Sequence, residues 1–548
     1  IRAILDGTVF RAPILVKGIV PYVNTWKKHS LVGLVGFSIE KYESDGLKAS
    51  GSGFPDDQVL TNLNSAAKKN SISSSYSSNT LASFLSRLEY KFNNRYLLTL
   101  NFRADGSSQF GPDKRWGYFP SGAVAWIITE ENFMKDYSNI VSYLKLRGSV
   151  GKTGSQNLGA YDWRTLMGSA TYNGAAGIVP SSLGNDILQW EEQIQKEVGL
   201  DYGFWDDRIR GTLGYYQKKV DNLLYSDPVP TSSSFSSVYQ NIGSLKNRGI
   251  EFDVRVDIIK NVQKDLTWNV DFNIARNRTT LEKLNSSDGY FGGGAYDYFK
   301  IEEGGETGRF YGYKDAGRLF MTNEELVGLK TIDPKTGTLK YYRDDYNYER
   351  QGDVYIMDLD GDGQITADGD RTVIGNANPD FFGGFGSTLY WKGLMLNAVF
   401  SYSVGGDRFW DEEKNSSGDM NVYNTSNRIL DSWTVNPGVN ASYPRAMYYG
   451  WGSNSIITDR YIHDASYLRM TALNLSYRLP KHLYKNSILN AVEFTFQATN
   501  LFTWTKYPGM DPQGNFSTTY SAFYNMGIDY STYPSARTYN FGIKLTLK

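Results

Sequence analysis

Apolar and polar residues alternate with a period of two along most of this chain, and the 3.6-residue period of a helix is nearly absent. Within 248–259, Ile250, Phe252, Val254, Val256 and Ile258 share one face, while Glu251, Asp253, Arg255 and Asp257 share the other. After a turn at 261–265, Leu266, Trp268, Val270, Phe272 and Ile274 alternate with Thr267, Asn269, Asp271 and Asn273. The same pairing flanks 205–208, where Val198, Leu200, Tyr202 and Phe204 precede Ile209, Gly211, Leu213 and Tyr215, and it recurs around 93–95 and 391–393. Each predicted strand is roughly 10–13 residues long, beyond the usual mode of about 5–6.

The polar face decides what kind of sheet this is. It carries charges and amides that a water-soluble sandwich could not bury unpaired. Lipid resolves the conflict, because apolar side chains then face hydrocarbon and polar ones a wet lumen. Tyr90, Tyr96, Tyr202, Phe204, Tyr390, Trp391 and Tyr477 fall near predicted strand ends, where an interfacial girdle would lie. The connections also alternate. Long ones cover 43–80, 153–193, 220–247, 277–379, 405–465 and 502–536, with 105–116 a shorter member of that set. Short ones fall at 92–95, 130–140, 205–208, 260–265, 391–393 and 480–490. Outer-membrane barrels combine long extracellular loops with short periplasmic turns. The pattern therefore predicts an all-β chain, a transmembrane antiparallel β-barrel of about 14–15 strands running from 30–42 to 537–547, with its C-terminus periplasmic.

Composition narrows the functions left. Lys+Arg 57 against Asp+Glu 58 gives a net charge of −1, without the basic footprint of a nucleic-acid binder. The absence of cysteine excludes disulfide scaffolds, thiolate zinc sites and cysteine catalysis. No run of about 18 apolar residues is present to form a transmembrane helix. No equal repeats point to a propeller or solenoid. A chain of 548 residues would ordinarily divide into several domains, and a single large barrel is the exception.

One motif carries specific chemistry. Asp358, Asp360 and Asp362 precede Gly363 in the D-x-D-x-D-G order of a calcium loop, with Gln364 offering a carbonyl and Ile365 the inward apolar residue. Position 12 is Gly369 rather than Glu, so the closing ligand must be Asp368 or Asp370. The expected role of Ca²⁺ is to stiffen the 277–379 loop; the alternative is a solvated acidic turn held by its own Asx hydrogen bonds. The segment 148–153 (GSVGKT) lacks the first glycine of a phosphate loop and ends a strand instead of opening a helix. His29, His463 and His482 are scattered, and Glu130/Glu131, Glu191/Glu192 and Glu302/Glu303 sit at turns or loops, so no catalytic constellation is defined. Aromatic residues in the long connections are the remaining candidates for substrate contact: Tyr296, Tyr298, Trp410, Tyr448, Tyr449, Trp451, Tyr520 and Phe523, interleaved with Gly, Asn, Ser and Asp. Aromatic faces beside amides and carboxylates suit sugars or peptides, although loop packing and contact with a partner protein are open alternatives.

Several phrases taken together resemble the SusC/RagA-type TonB-dependent transporters of the Bacteroidetes outer membrane. They are 80–87 (TLASFLSR), 96–110 (YLLTLNFRADGSSQF), 115–120 (RWGYFP), 144–157 (LKLRGSVGKTGSQN), 241–252 (NIGSLKNRGIEF), 308–313 (GRFYGY), 352–375, 466–479 (SYLRMTALNLSYRL) and 498–512 (ATNLFTWTKYPGMDP). The resemblance implies a 22-stranded barrel filled by an N-terminal plug, with a SusD-like surface lipoprotein as its lid and TonB as its source of energy. On that footing 1–548 is a partial barrel, with plug, TonB box and first strands outside this chain. The resemblance implies import of an oligosaccharide or peptide, with no covalent chemistry. The competing expectation is an outer-membrane anchor or adhesin whose loops bind surfaces or proteins. The family usually ends on Phe, whereas this chain ends on Lys548.

Overall fold

The computed structural model describes residues 2–547 apart from 57–58, 61, 285–290, 293–297, 323–324, 326–330, 333–338, 341–350, 419–424, 439, 447–453, 455, 486–487, 515–525 and 531; at 2–14, 69–70, 262, 291–292, 301, 331–332, 339–340 and 417–418 the backbone alone is described. The dominant element is one fifteen-stranded antiparallel sheet whose strand order is the chain order. Its strands are β1 Arg2–Trp26, β2 His29–Ser52, β3 Lys68–Phe92, β4 Tyr96–Ser107, β5 Trp116–Ile127, β6 Val141–Ser155, β7 Glu191–Phe204, β8 Ile209–Asp221, β9 Ser244–Asn261, β10 Leu266–Lys283, β11 Phe381–Trp391, β12 Leu394–Val404, β13 Tyr467–Arg478, β14 Leu489–Thr505 and β15 Thr538–Leu547. By internal contacts the chain divides into two units, Ile1–Tyr202 with Gly214–Arg248 and Glu282–Ser287, and Gly203–Leu213 with Gly249–Leu281 and Asp288–Lys548.

In the first unit, β4 and β5 pair Phe102 with Pro120, Leu100 with Gly122, Leu98 with Val124 and Tyr96 with Trp126, which sets one apolar ladder on one face. That face is the exposed one: Leu100 keeps 44% and Val124 59% of their surface. The other face is polar and internally bonded. Asn101 donates to the Ser121 hydroxyl at 3.1 Å, and Arg103 donates to Asp105 at 2.7 Å and to Ser83 at 3.1 Å. Such polarity is inverted for water and right for lipid, where apolar groups outside cost nothing and polar groups inside must pair. The exposed band is bounded by aromatic residues. Phe84 stacks on Trp116 and Phe102 on Tyr118 at one end; Tyr96 and Trp126 mark the other. From Trp116 to Trp126 the rise is roughly 3.3 Å per residue at a tilt of about 45°, hence roughly 23 Å, close to the apolar height of an outer-membrane barrel.

The second unit repeats this logic. In β15, Tyr539, Phe541, Ile543 and Leu545 are exposed and alternate with Asn540, Gly542 and Lys544. The hairpin between β11 and β12 has a two-residue turn with positive φ at both Lys392 (47°) and Gly393 (86°), the type I′ geometry that matches strand twist. Between strands, connections at 27–28, 93–95, 128–140, 205–208, 262–265, 392–393 and 479–488 alternate with 53–67, 108–115, 156–190, 222–243, 284–380, 405–466 and 506–537. At one step the lengths reverse: 128–140, which carries two short 3-10 helices, exceeds 108–115.

The structure differs from the sequence expectation in three places. β1 was not expected, because Pro13 and Pro21 interrupt its alternation; the register shift between Arg11 and Ile14 brackets Pro13. The 43–80 connection shrinks to 53–67, since the Ser-rich stretches 44–52 and 71–80 pair with each other instead of looping. The 277–379 loop likewise begins only after Lys283.

Among the described residues the buried clusters lie mainly in the long connections, with Phe119 of β5 contributed by the sheet. In the first unit Phe110, Phe119, Leu188 and Trp190 pack together, and the Trp190 indole donates to the carbonyl of Arg115 at 2.9 Å. In the second unit Tyr298, Phe299, Phe310, Ile374, Ala377, Phe409, Tyr461 and Ile528 form one core, and Leu319, Phe320, Val354, Ile356 and Ile365 another. Residues from 284–380, 405–466 and 506–537 thus fold as one layer where β11–β14 meet their long connections.

Candidate functional site

A small loop sheet organises this layer. Asp407–Trp410 pairs antiparallel with Ile462–Asp464 and parallel with Ile528–Asp529. Strand alternation sends Phe409 and Ile528 into the first core and leaves Arg408, Trp410, His463 and Asp529 on the other face. Trp410 meets His463 edge-on at 5.9 Å and Tyr507 at 6.2 Å, and the Arg428 guanidinium lies over its ring at 4.7 Å. Glu413, buried, anchors the group: it pairs with Arg428, with His463 Nε2 at 2.5 Å and with the Tyr443 hydroxyl at 3.4 Å. Arg428 is therefore held between a carboxylate and two aromatic rings, an arrangement suited to its flat, weakly hydrated cation.

Adjacent groups lock the strand ends. The Tyr507 hydroxyl donates to Asp529 at 2.8 Å, and burial together with that bond pushes its pKa up, so it stays a neutral donor. Arg469 donates to Asp511 at 2.6 Å, to Gln513 at 2.7 Å and to Thr503 at 3.0 Å. Burial alone would raise the Asp511 pKa, but Arg469 and the N–H of Gln513 outweigh it and hold this carboxyl below the usual range. In the second core, Asp353 accepts from Arg445 Nη2 at 3.1 Å and from Asn454 at 2.8 Å, while Asn454 accepts from the Val354 N–H.

The acidic loop is formed as its spacing predicts, up to its closing position. One carboxylate oxygen each of Asp358, Asp360 and Asp362 lies within 4.8 Å of the others. Asp358 accepts from the N–H of Gly361 at 2.7 Å and of Gly363 at 2.8 Å, both glycines having positive φ. Ile365 is buried in the second core and ties the loop to it. The N–H of Asp362 favours ionised Asp360, yet desolvation and the carboxylates of Asp362 and Asp370 leave the Asp360 pKa raised. Gln364 is buried and Asp368 exposed. Asp370 takes no part in the triad: it is fully buried and accepts the N–H groups of Leu359 at 2.6 Å and Thr366 at 2.7 Å. At the expected closing position Asp370 thus holds two backbone N–H groups, as Asp358 does within the triad. The three remaining carboxylates form a hard-oxygen set that fits a divalent cation.

Of the expected substrate-contact aromatics, Tyr296, Tyr448, Tyr449, Trp451, Tyr520 and Phe523 lie outside the described residues. Tyr298 is buried against Phe409 and its hydroxyl donates to Asp411 at 2.5 Å, so its ring is core and not display. Trp410 is held between Arg428, His463 and Tyr507. The glycine-rich 148–153 runs inside β6. Glu131 is also structural: it accepts from Arg95 at 3.0 Å, Tyr96 at 2.5 Å and the Trp126 indole at 3.1 Å, orienting the girdle. Sequence reasoning did not single out Arg408, Glu413, Arg428, Tyr443 or Tyr507; the short alternation Asp407-Arg408-Phe409-Trp410 was the one local signal of the loop strand.

Comparison with known proteins decides the family. The profile of the TonB dependent receptor-like, beta-barrel family matches residues 23–445. The chain belongs to that family. Within it the chain is of the SusC/RagA type: it is 32% identical over 547 residues to the TonB-dependent receptor P3 of Formosa agariphila, covering 96% of this chain and 51% of that protein. It is 32% identical over 483 residues to the TonB-dependent receptor SusC of Bacteroides thetaiotaomicron, covering 85% of this chain and 44% of that one. Among solved structures, the RagAB peptide transporter superposes with a TM-score of 0.78 at 26% identity, over 99% of this chain and 56% of that one. This TonB-dependent receptor chain thus spans about half the length of the curated relatives it matches. Its relatives are receptors and transporters, not enzymes, and the family places it in the bacterial outer membrane.

Proposed function

We propose that this chain is the barrel portion of an active importer for oligosaccharides or peptides too large for passive diffusion. A SusD-like surface lipoprotein would serve as its lid, and TonB, acting through a plug domain, would supply the energy. The observation that carries this reading is the folded layer of long connections above β11–β14, in a chain 32% identical to SusC over 483 residues. Two packed cores and a buried ion-pair network give these loops the rigidity to hold a ligand and to seat a lid. The short connections would face the periplasm and the long ones the exterior. Transport would then be a shift between lid states biased by the ligand.

Extraction of the receptor from native outer membranes in mild detergent tests the assembly. The expected result is a stoichiometric lipoprotein together with peptides from a plug domain in the same polypeptide. A lone barrel with neither would move the adhesin reading ahead.

The acidic loop would hold Ca²⁺ through Asp358, Asp360 and Asp362, which would relieve their mutual repulsion and stiffen 284–380. Exchanging Asp358 and Asp362 for Asn is expected to remove about one metal ion per chain without impairing membrane assembly. Unchanged metal content by elemental analysis would sink the site.

A further inference from the structure

Arg408 forms no ion pair among the described residues, unlike five arginines in and beside the loop layer. Arg278, Arg428, Arg445, Arg460 and Arg469 each form an ion pair, with Asp380, Glu413, Asp353, Asp315 and Asp511 respectively. Arg408 has no carboxylate at ion-pair distance among the described residues. Its Nη1 reaches two main-chain carbonyls, of Asp407 at 3.1 Å and Ala377 at 3.5 Å, and its Nε is buried with no hydrogen-bond partner. Burial pulls its pKa down, opposed by the fields of Tyr507, Tyr467, Asp529 and Asp407. A desolvated guanidinium with part of its donor fork unused is costly, and a protein retains one where an anion completes it.

Its place in the fold is equally specific. Arg408 stands four residues beyond the end of β12 and opposite His463 in the loop sheet. Tyr467, which opens β13, and Tyr507, just past β14, are the aromatic groups beside it. The guanidinium thus sits where three neighbouring strands meet their long connections, on the face of the loop sheet turned away from its apolar core.

We propose that Arg408 receives a carboxylate of the imported ligand, its guanidinium making the charge-assisted bond. This rests on the import reading above and narrows it: the ligand carries a carboxylate, from either a peptide terminus or acidic side chain, or a uronic acid of an oligosaccharide. Arg408 is a specificity-determining residue for cargo charge.

The test uses the full-length receptor, purified with whatever lipoprotein accompanies it, and two probe pools. One contains tetrapeptides as free acids and as terminal amides; the other contains oligogalacturonates and their methyl esters. Wild type is expected to retain the acid members of one pool about ten- to a hundred-fold better than the neutral members, the range for one charge-assisted bond in a desolvated site. Which pool shows the preference names the source. Arg408→Gln is expected to retain acid and neutral members alike, and Arg408→Lys to keep part of the preference. The thermal midpoint of ligand-free Arg408→Gln is expected to stay level or rise, since an unanswered charge is removed. Equal retention of acid and neutral members by wild type, or an unchanged preference in Arg408→Gln, overturns the assignment and leaves import standing. A lowered midpoint with loss of neutral binding as well makes Arg408 structural and also overturns it. Retention of no member of either pool overturns both this assignment and the ligand-binding reading of the loops.

Discussion

Leu100→Arg is expected to prevent stable insertion of this chain, at a cost of about 2–4 kcal/mol, the value for a lipid-facing arginine near the bilayer midplane. Leu100 is 44% exposed and pairs with Gly122, about midway between the aromatic belts at Trp116 and Trp126. On a protein surface facing water, the same exchange would fall within about 0.5 kcal/mol. The neighbouring residue supplies the control. Thr99 points to the opposite face and pairs with Glu89, so Thr99→Arg adds a cation opposite a carboxylate and is expected to cost less than about 1 kcal/mol. Urea midpoints in lipid vesicles separate the two variants. If both unfold at the wild-type midpoint, the exposed apolar face is not a membrane face.

The second large effect belongs to the loops. Phe409→Ala removes a fully buried ring that meets Tyr298 at 4.8 Å, Phe310 at 6.4 Å and Tyr461 at 6.2 Å. A truncation of this kind costs about 3–5 kcal/mol. That loss falls on the layer formed by 284–380, 405–466 and 506–537, while the paired strands keep their own hydrogen bonds and lipid-facing surface. The expected outcome is rapid protease cleavage within these connections, with the membrane-inserted strands remaining resistant. Simultaneous loss of sheet and loops would mean that the layer is no separate folding unit. Lid capture and ligand retention are expected to fail with the loops, since the arginine, tyrosine and histidine face of the loop sheet is aligned from behind by Phe409 and Ile528.

How much of this was legible in sequence follows from the range of the interactions. The turn at 392–393 and the strands on either side could be read directly, because turn chemistry and side-chain alternation act over a few residues. The membrane polarity of the sheet was legible from strand length and the alternation of long and short connections, since two-faced strands alone also suit a half-solvated soluble sheet. β1 was not, since Pro13 and Pro21 interrupt the local alternation and its strand geometry rests on pairing with β2. Nor were the outer halves of β2 and β3, whose serines gain strand geometry from pairing with neighbouring strands.

The sites divide along the same line. Asp358, Asp360 and Asp362 lie two residues apart and bend around Gly361 and Gly363, so spacing alone assembled them. The backbone partners of Asp370, Leu359 and Thr366, are revealed only once the loop is folded. Tyr298 looked available for a ligand, yet Phe409 and Asp411, more than a hundred positions away, enclose it. The pairing of Glu413 with Arg428 and His463, and the lack of an ion pair to Arg408 among the described residues, depend on which distant segments the loop layer brings together. The sequence by itself determined most strands of the sheet, their two faces, the tight turns and the acidic loop, since each is set by neighbours along the chain. The tertiary structure alone decided which loop charges are satisfied and which one is left for a ligand, because that depends on contacts across long stretches of sequence.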